Sequence, residues 1–341
     1  TLQDSSAASD VYKRQRPGFM SVRTLYPKLF VIFYLLSSFL FCQQSLSIGF
    51  WNAENLFDLE DDPLKNDDEF SIGGRKKVDQ KIYDLKIQHS AEVLSDLNVD
   101  ILGLCEVENR KVLQDLNKSY KARNYSIVHY DSPDERGIDN ALLYDKNKFT
   151  LISSKPIRNT LKGGDKTRDI LYVEGKYKNN KLHIFVNHWP SNYGGREKAI
   201  PKRFETANLV MDVIKKIQNK DKFADIVLIG DFNEDPDEQN ITHLTKIGIE
   251  SLMVPMLGQP KVGTYVYRGR DYFYDQILIN KGLKDQKYLS VDLESLYILD
   301  IPKYRQQEGN YAHFPFRFWA GNRLLGGYSD HLAIKVEIIA Q

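Results

Sequence analysis

The sequence predicts a layered α/β or α+β domain, and three observations carry that prediction. Apolar, β-prone runs recur along the chain: SLSIGFWN, VDILGLCE, YSIVHY, NALLYD, KLHIFVNHW, ADIVLIGDFN, YFYDQILIN and LAIKVEI. Most are apolar through their middles rather than alternating, as strands covered on both faces are. Helix-patterned stretches lie between them, at Lys76 to Leu97, Arg110 to Lys118 and Lys202 to Ile217. In the first of these, Ile82, Leu85, Ile87, Ala91, Val93 and Leu94 approximate one helical stripe. Strands interleaved with helices bury their apolar faces by stacking in layers.

Length sets the scale. The chain has 341 residues, 42% of them hydrophobic, enough for a well-formed core. Residues 1–19 read as a non-native leader, because Asp10 to Gln15 (DVYKRQ) matches what a sequencing-library transposon end encodes in one frame. Residues 20–42 read as a signal peptide: Arg23 and Lys28 precede the apolar run Leu29 to Phe41, and polar QQS residues follow it. Lipidation of Cys42 is the weaker alternative, since bulky Phe41 precedes it. The expected location is therefore secreted or periplasmic, with residues 43–341 forming a single domain. No repeat or Pro/Gly/Ser linker divides residues 45–341.

Residues 1–42 hold five basic and two acidic side chains, so residues 43–341 carry 42 basic against 44 acidic. Such a balance generates no strong field toward nucleic acid or membrane. Cys105 is the one cysteine of that stretch, which rules out an internal disulfide framework. The acidic segment Asp58 to Phe70 lacks the ligand spacing of an EF-hand loop and reads as solvated rather than calcium-binding.

Polar, chemically capable residues stand where the apolar runs stop: Asn52, Glu106, His188, Asp231 with Asn233, Asp275, and Asp330 with His331. Ligand sites gather at strand ends in α/β folds. Glu106 emerges from VDILGLC, where an unpaired buried charge is costly, so a metal ligand is favoured over a plain salt bridge. Asp275 lies within YFYDQILIN and needs a partner such as a histidine. Taken singly, GDFN is also an Asx-turn and each histidine is also a satisfied core residue.

As a set, these residues resemble the endonuclease/exonuclease/phosphatase superfamily, which includes DNase I, neutral sphingomyelinases and inositol polyphosphate 5-phosphatases. The motifs stand in family order from about Ser47 onward: Trp51–Asn52, Glu106 before Val107, His188-x-Pro190, Gly230 to Asn233, Asp275, and Ser329 to His331. The resemblance implies a four-layer α/β sandwich, two mixed sheets face to face with helices outside. It implies Mg²⁺, with Mn²⁺ or Ca²⁺ as alternatives, held by Glu106, Asn52 and Asp330. Asp231 would activate water, Asn233 would contact the phosphoryl group, and His331, oriented by Asp275, would donate to a phosphate oxygen. His188 would serve the leaving group, with Asp139 as its orienter. Histidine rather than tyrosine at position 188 points away from the abasic-endonuclease branch. Glu54, where that branch carries Asp, is either a metal assistant or a surface charge.

The basic cluster after His188 adds Arg196 and Arg203 as candidate substrate-binding residues. In the aromatic stretch 313–331, core packing is favoured over base stacking. Three functions compete: an exported nuclease on DNA or RNA, which is the favoured one, then a phosphatase or phosphodiesterase on a small or lipid phosphoester, and last a non-catalytic module. Near-neutral charge favours a small substrate, and the segment Cys105 to Asn109 favours a nuclease. No motif residue is missing, so a non-catalytic module is disfavoured. A monomer without protein partners is expected.

Overall fold

In the computed structural model, which describes residues 45–341, the apolar runs become two mixed six-stranded sheets. The expectations for residues 1–19, for the signal peptide at 20–42 and for Cys42 lie outside the described residues. The first sheet contains β1 (Ser45–Leu56), β2 (Ile101–Val107), β3 (Ser126–His129), β4 (Asp139–Tyr144), β13 (Leu289–Ile298) and β16 (Ile334–Ala340), in the order β13-β16-β1-β2-β4-β3. The second contains β5 (Phe149–Ile157), β6 (Ile170–Tyr177), β7 (Asn180–His188), β8 (Ile226–Asp231), β9 (Ile249–Ser251) and β12 (Asp275–Asn280), in the order β5-β6-β7-β8-β12-β9. Each is built on one central parallel pair, β1 with β2 and β7 with β8, flanked by antiparallel neighbours. Two short hairpins are added, β10 (Tyr265–Tyr267) with β11 (Arg270–Tyr272) and β14 (Trp319–Ala320) with β15 (Arg323–Leu324).

The continuous apolar runs follow from burial on both faces. Leu46, Ile48 and Phe50 of β1 meet Ile184 and Val186 of β7 and Val227 and Ile229 of β8 in the layer between the sheets. Their neighbours face outward onto helices. Trp51, Leu102 and Leu104 pack under α1 (Gln80–Leu97) and α2 (Arg110–Ser119), through Val93, Leu94, Leu97, Val112 and Leu116. Phe185, Ile226 and Leu228 pack under α3 (Arg196–Lys220), through Val210 and Ile214. The result is the expected helix–sheet–sheet–helix stack. Each large apolar side chain so buried contributes about 1.5–3 kcal/mol. Gly230 has its own steric reason: a Cβ there would lie 2.4 Å from the Asn187 carbonyl oxygen of the adjacent β7.

Helix boundaries differ from the sequence pattern for local reasons. The first helix starts at Gln80 rather than Lys76, because the Asp79 side chain caps it by accepting from the Ile82 amide. The third begins at Arg196, before Lys202, and runs through Pro201 near its first turns. The acidic segment is less solvated than expected: Asp58 and Asp67 are buried and accept the backbone amides of Glu60 and Asp62. No helix among the described residues is long and apolar enough to cross a membrane.

Candidate active site

The chain directions place one end of both sheets together. The carboxyl ends of β1, β2, β7 and β8 carry Asn52, Glu106, His188 and Asp231. Asp275 opens the antiparallel β12 directly opposite Asp231, and His331 precedes β16, which runs antiparallel to β1. Glu54, Asn55, Glu106 and Asn233 all adopt left-handed backbone, with φ of 50°, 55°, 58° and 53°. None is glycine, and for the two glutamates this conformation is uncommon, of the kind that gathers at functional sites. The register slips on β1 after Asn52 and on β2 after Cys105, so adjacent bulges turn Glu106 out of the sheet.

Asp231 is the centre of the cluster. Its Oδ2 accepts from Asn52 Nδ2 at 3.1 Å and its Oδ1 accepts from the Asn233 amide at 2.9 Å. His188 Nε2 stands 3.7 Å and His331 Nε2 3.9 Å from Oδ2. Burial, with Asp275 and Glu106 nearby, lifts the Asp231 carboxyl to about 7 despite His331. His331 Nδ1 lies 2.7 Å from Asp275 Oδ2, and its backbone amide donates to Ser329 Oγ. Burial opposes a charged imidazole, but Asp275, Asp231 and Asp330 override it and raise His331 to about 10. The expected Asp275–His331 pair is therefore present, with the ring charged at neutral pH. His188 behaves oppositely: burial, reinforced by Arg168, Arg136 and His331, pushes its pKa well below 6.5. That direction keeps it neutral and does not suit proton donation to a leaving group.

Oxygen donors suited to a divalent cation flank this centre. Glu106 Oε2 accepts the Asn55 amide at 3.0 Å, while Oε1 faces His188 and Arg136 at 3.9 Å without a hydrogen bond. The Asn52 amide oxygen accepts from the Glu54 amide, and its Nδ2 ties it to Asp231. These hard donors fit Mg²⁺-type chemistry. Asp231, Asp275 and His331 also group closely enough to hold an ion. A charged imidazole donates at both nitrogens, however, so this trio reads as a proton-handling unit. Asp330, the third expected ligand, instead pairs with Arg317 at 2.7 Å.

Four further expectations change. Asp139 does not orient His188, because its two oxygens are engaged by His129 Nε2 at 3.1 Å and the Ser132 amide at 2.8 Å. His188 Nδ1 is correspondingly left without a hydrogen-bond partner. Arg203 does not face substrate. It is fully buried, donating to Glu234 at 2.8 Å and to the Pro190 carbonyl at 2.9 Å. Arg196 is half-exposed but bound to Glu238. Glu54 is neither surface charge nor free metal assistant: its oxygens accept the Phe318 and Trp319 amides at 2.6 and 3.0 Å. Burial, with Asp330 nearby, lifts it to about 7. That contact anchors the aromatic segment, where Phe318 and Trp319 are buried in a core cluster with Phe57 and Phe70.

Sequence reading passed over Arg136 and Arg168. Each stands a few residues before a strand that starts at this edge, β4 or β6, and that placement is the signal that could have found them. A groove of about 1090 Å³ opens beside Glu106 and includes both arginines. Its lining holds six basic side chains, among them Lys166, Lys198 and Lys202, and six acidic ones.

Solved structures share this architecture. The chain is 19% identical to truncated TDP2 of Caenorhabditis elegans, with 87% of this chain and 98% of that one covered and a TM-score of 0.55. For the human nocturnin catalytic domain the values are 19%, 87%, 95% and 0.53. For the mannosyl-6-phosphatase of Bacteroides thetaiotaomicron they are 18%, 86%, 100% and 0.55. No sequence among the curated proteins matches. A family model described as endonuclease/exonuclease/phosphatase family matches residues 47–340, the span that supplies every strand-end residue above, and the chain belongs to that family.

Proposed function

We propose that this protein is an exported, Mg²⁺-dependent phosphoesterase whose groove favours a small substrate over duplex nucleic acid. The observation that carries the reaction type is Asp231 between two imidazoles of opposite character, with Glu106 beside it. A divalent cation at Glu106 and Asn52 would neutralise phosphate oxygens and the developing charge on the leaving oxygen. Asp231, raised to about 7, takes a proton from water near neutral pH. His331, held charged by Asp275, donates Nε2–H toward a non-bridging phosphate oxygen, as a fixed positive group does best in a dry site. His188, neutral, serves as a hydrogen-bonding partner of the phosphoryl group.

The substrate reading rests on the groove, where cations and carboxylates balance. Binding a duplex needs many uncompensated Lys/Arg–phosphate contacts. The nuclease reading is the alternative, supported by the segment Cys105 to Asn109 and by the similarity to TDP2 of D. rerio, whose structure was solved with a single-strand DNA product. Export rests on the apolar run Leu29 to Phe41 after two basic residues.

Hydrolysis of plasmid DNA, RNA, bis-p-nitrophenyl phosphate and p-nitrophenyl phosphate, with Mg²⁺ and with EDTA, tests the reading. Metal-dependent turnover of the small esters, lost in His331→Ala, is expected. Faster cleavage of plasmid or RNA would replace the small-substrate reading with the nuclease one. No turnover with any divalent metal would remove the phosphoesterase reading.

A further inference from the structure

The groove beside Glu106 contains one guanidinium whose donors are unused. Arg168 is buried, with one terminal nitrogen on the Trp189 carbonyl at 2.8 Å and the other on Asp134 at 3.3 Å, and its Nε, although without a partner, is enclosed away from the groove surface. Arg136 is half-exposed, and among the described residues its guanidinium makes no hydrogen bond. It stands 3.9 Å from Glu106 Oε1 and 3.9 Å from Asp134 Oδ1, too far for one. A guanidinium at ion-pair distance from Glu106 and Asp134 that hydrogen-bonds to neither keeps its donors for an anion that arrives beside the candidate metal ligand.

The segment that carries it is fixed in advance. The Arg136 amide donates to Asp134 Oδ1 at 3.0 Å, and the Gly137 amide donates to the Asp134 carbonyl at 3.2 Å. Gly137 has φ of 72°, a conformation that suits glycine, and a Cβ there would crowd Lys65 at 3.2 Å. Lys65 Nζ in turn binds the Ser132 and Asp134 carbonyls at 3.0 and 2.8 Å. The backbone that carries the guanidinium is therefore held at the groove without being ordered by substrate, which lowers the cost of binding.

We propose that Arg136 recognises the second negative charge of a phosphate monoester, and that the preferred substrates of this site are dianionic monoesters rather than diesters. This rests on the phosphoesterase reading above. A diester carries one charge and has one non-bridging oxygen fewer, so a forked guanidinium beside the metal ligand has less to grip. Beyond that point the lining charges cancel, which leaves no continuous cationic track for a polyanion.

The experiment compares the wild-type protein with Arg136→Gln and Arg136→Lys, in Mg²⁺, on p-nitrophenyl phosphate and bis-p-nitrophenyl phosphate. Calorimetric titration with inorganic phosphate in Mg²⁺ accompanies it. In Arg136→Gln, kcat/KM for the monoester should fall on the order of 10- to 100-fold, the range of one charge-assisted hydrogen bond. The diester should change by less than about threefold, phosphate affinity should weaken in parallel, and Arg136→Lys should recover part of each loss. Equal losses on both esters, or phosphate affinity that is unchanged in Arg136→Gln, would overturn the assignment. Wild-type protein that hydrolyses neither ester removes the phosphoesterase reading. The phosphate titration still decides the anion site in that case, with lost affinity upholding it and unchanged affinity overturning it.

Discussion

Replacing Asp275 by Asn tests the electrostatics of the site without changing its shape. Asp275 is fully buried, and its Oδ2 lies 2.7 Å from His331 Nδ1. Raising an imidazole from 6.5 to about 10 corresponds to at most about 5 kcal/mol. Removing one partner of a buried pair typically costs about 3–5 kcal/mol, and the remaining Asp231 and Asp330 still favour the cation. A loss of about 3 kcal/mol at pH 7 is expected. The folded-state pKa of His331 lies above its unfolded value, so the stabilisation is fully present below pH 6.5 and disappears as pH rises through about 10. Urea denaturation of both proteins in EDTA, at pH 7 and pH 10.5, measures this. The difference between them should shrink to less than about 1 kcal/mol at the higher pH. The same difference at both pH values would refute the charged-pair account and reduce Asp275 to a packing residue.

Four further outcomes follow from the geometry. The kcat/KM profile should fall as pH drops below about 7, where Asp231 gains a proton, and fall again above about 10, where His331 loses one; an acid limb unmoved in Asp231→Asn with residual activity would exclude that base. Glu106→Gln should weaken Mg²⁺ binding in calorimetry by at least about tenfold, since a charged oxygen donor becomes neutral; equal affinity would move the metal site elsewhere. Asp139→Asn should lower the melting temperature through His129 while kcat stays within about threefold, and a drop of 100-fold would restore Asp139 as a partner of His188. Arg203→Ala should destabilise the fold by about 3–5 kcal/mol by stranding buried Glu234; an altered KM at unchanged stability would return Arg203 to the substrate.

The reach of the sequence differs between residue classes. Strand ends were legible because a polar residue after an apolar run has few structural reasons to be there. Asn52, Glu106, His188, Asp231, Asp275 and His331 were all singled out this way, and the fold brings them to one edge. Arginines were not legible. Arg203 looked like a free cation beside His188, yet it is fully buried and hydrogen-bonds to Glu234 and the Pro190 carbonyl. Arg136 carried no signal in the sequence, yet the turn at Asp134 brings it near Glu106.

Sequence alone determined the layers, the order of motifs and which residue types stand at the strand ends, because burial periodicity and residue type are written residue by residue. Tertiary structure decided the partnerships. Asp139 was adjacent to a plausible role, but pairing of β3 with β4 gave it His129. Glu54 and Asp330 resembled metal ligands, but the returning 317–330 segment engaged them through two backbone amides and Arg317. A long side chain reaches any of several partners, and only the packing of distant segments fixes which one it meets.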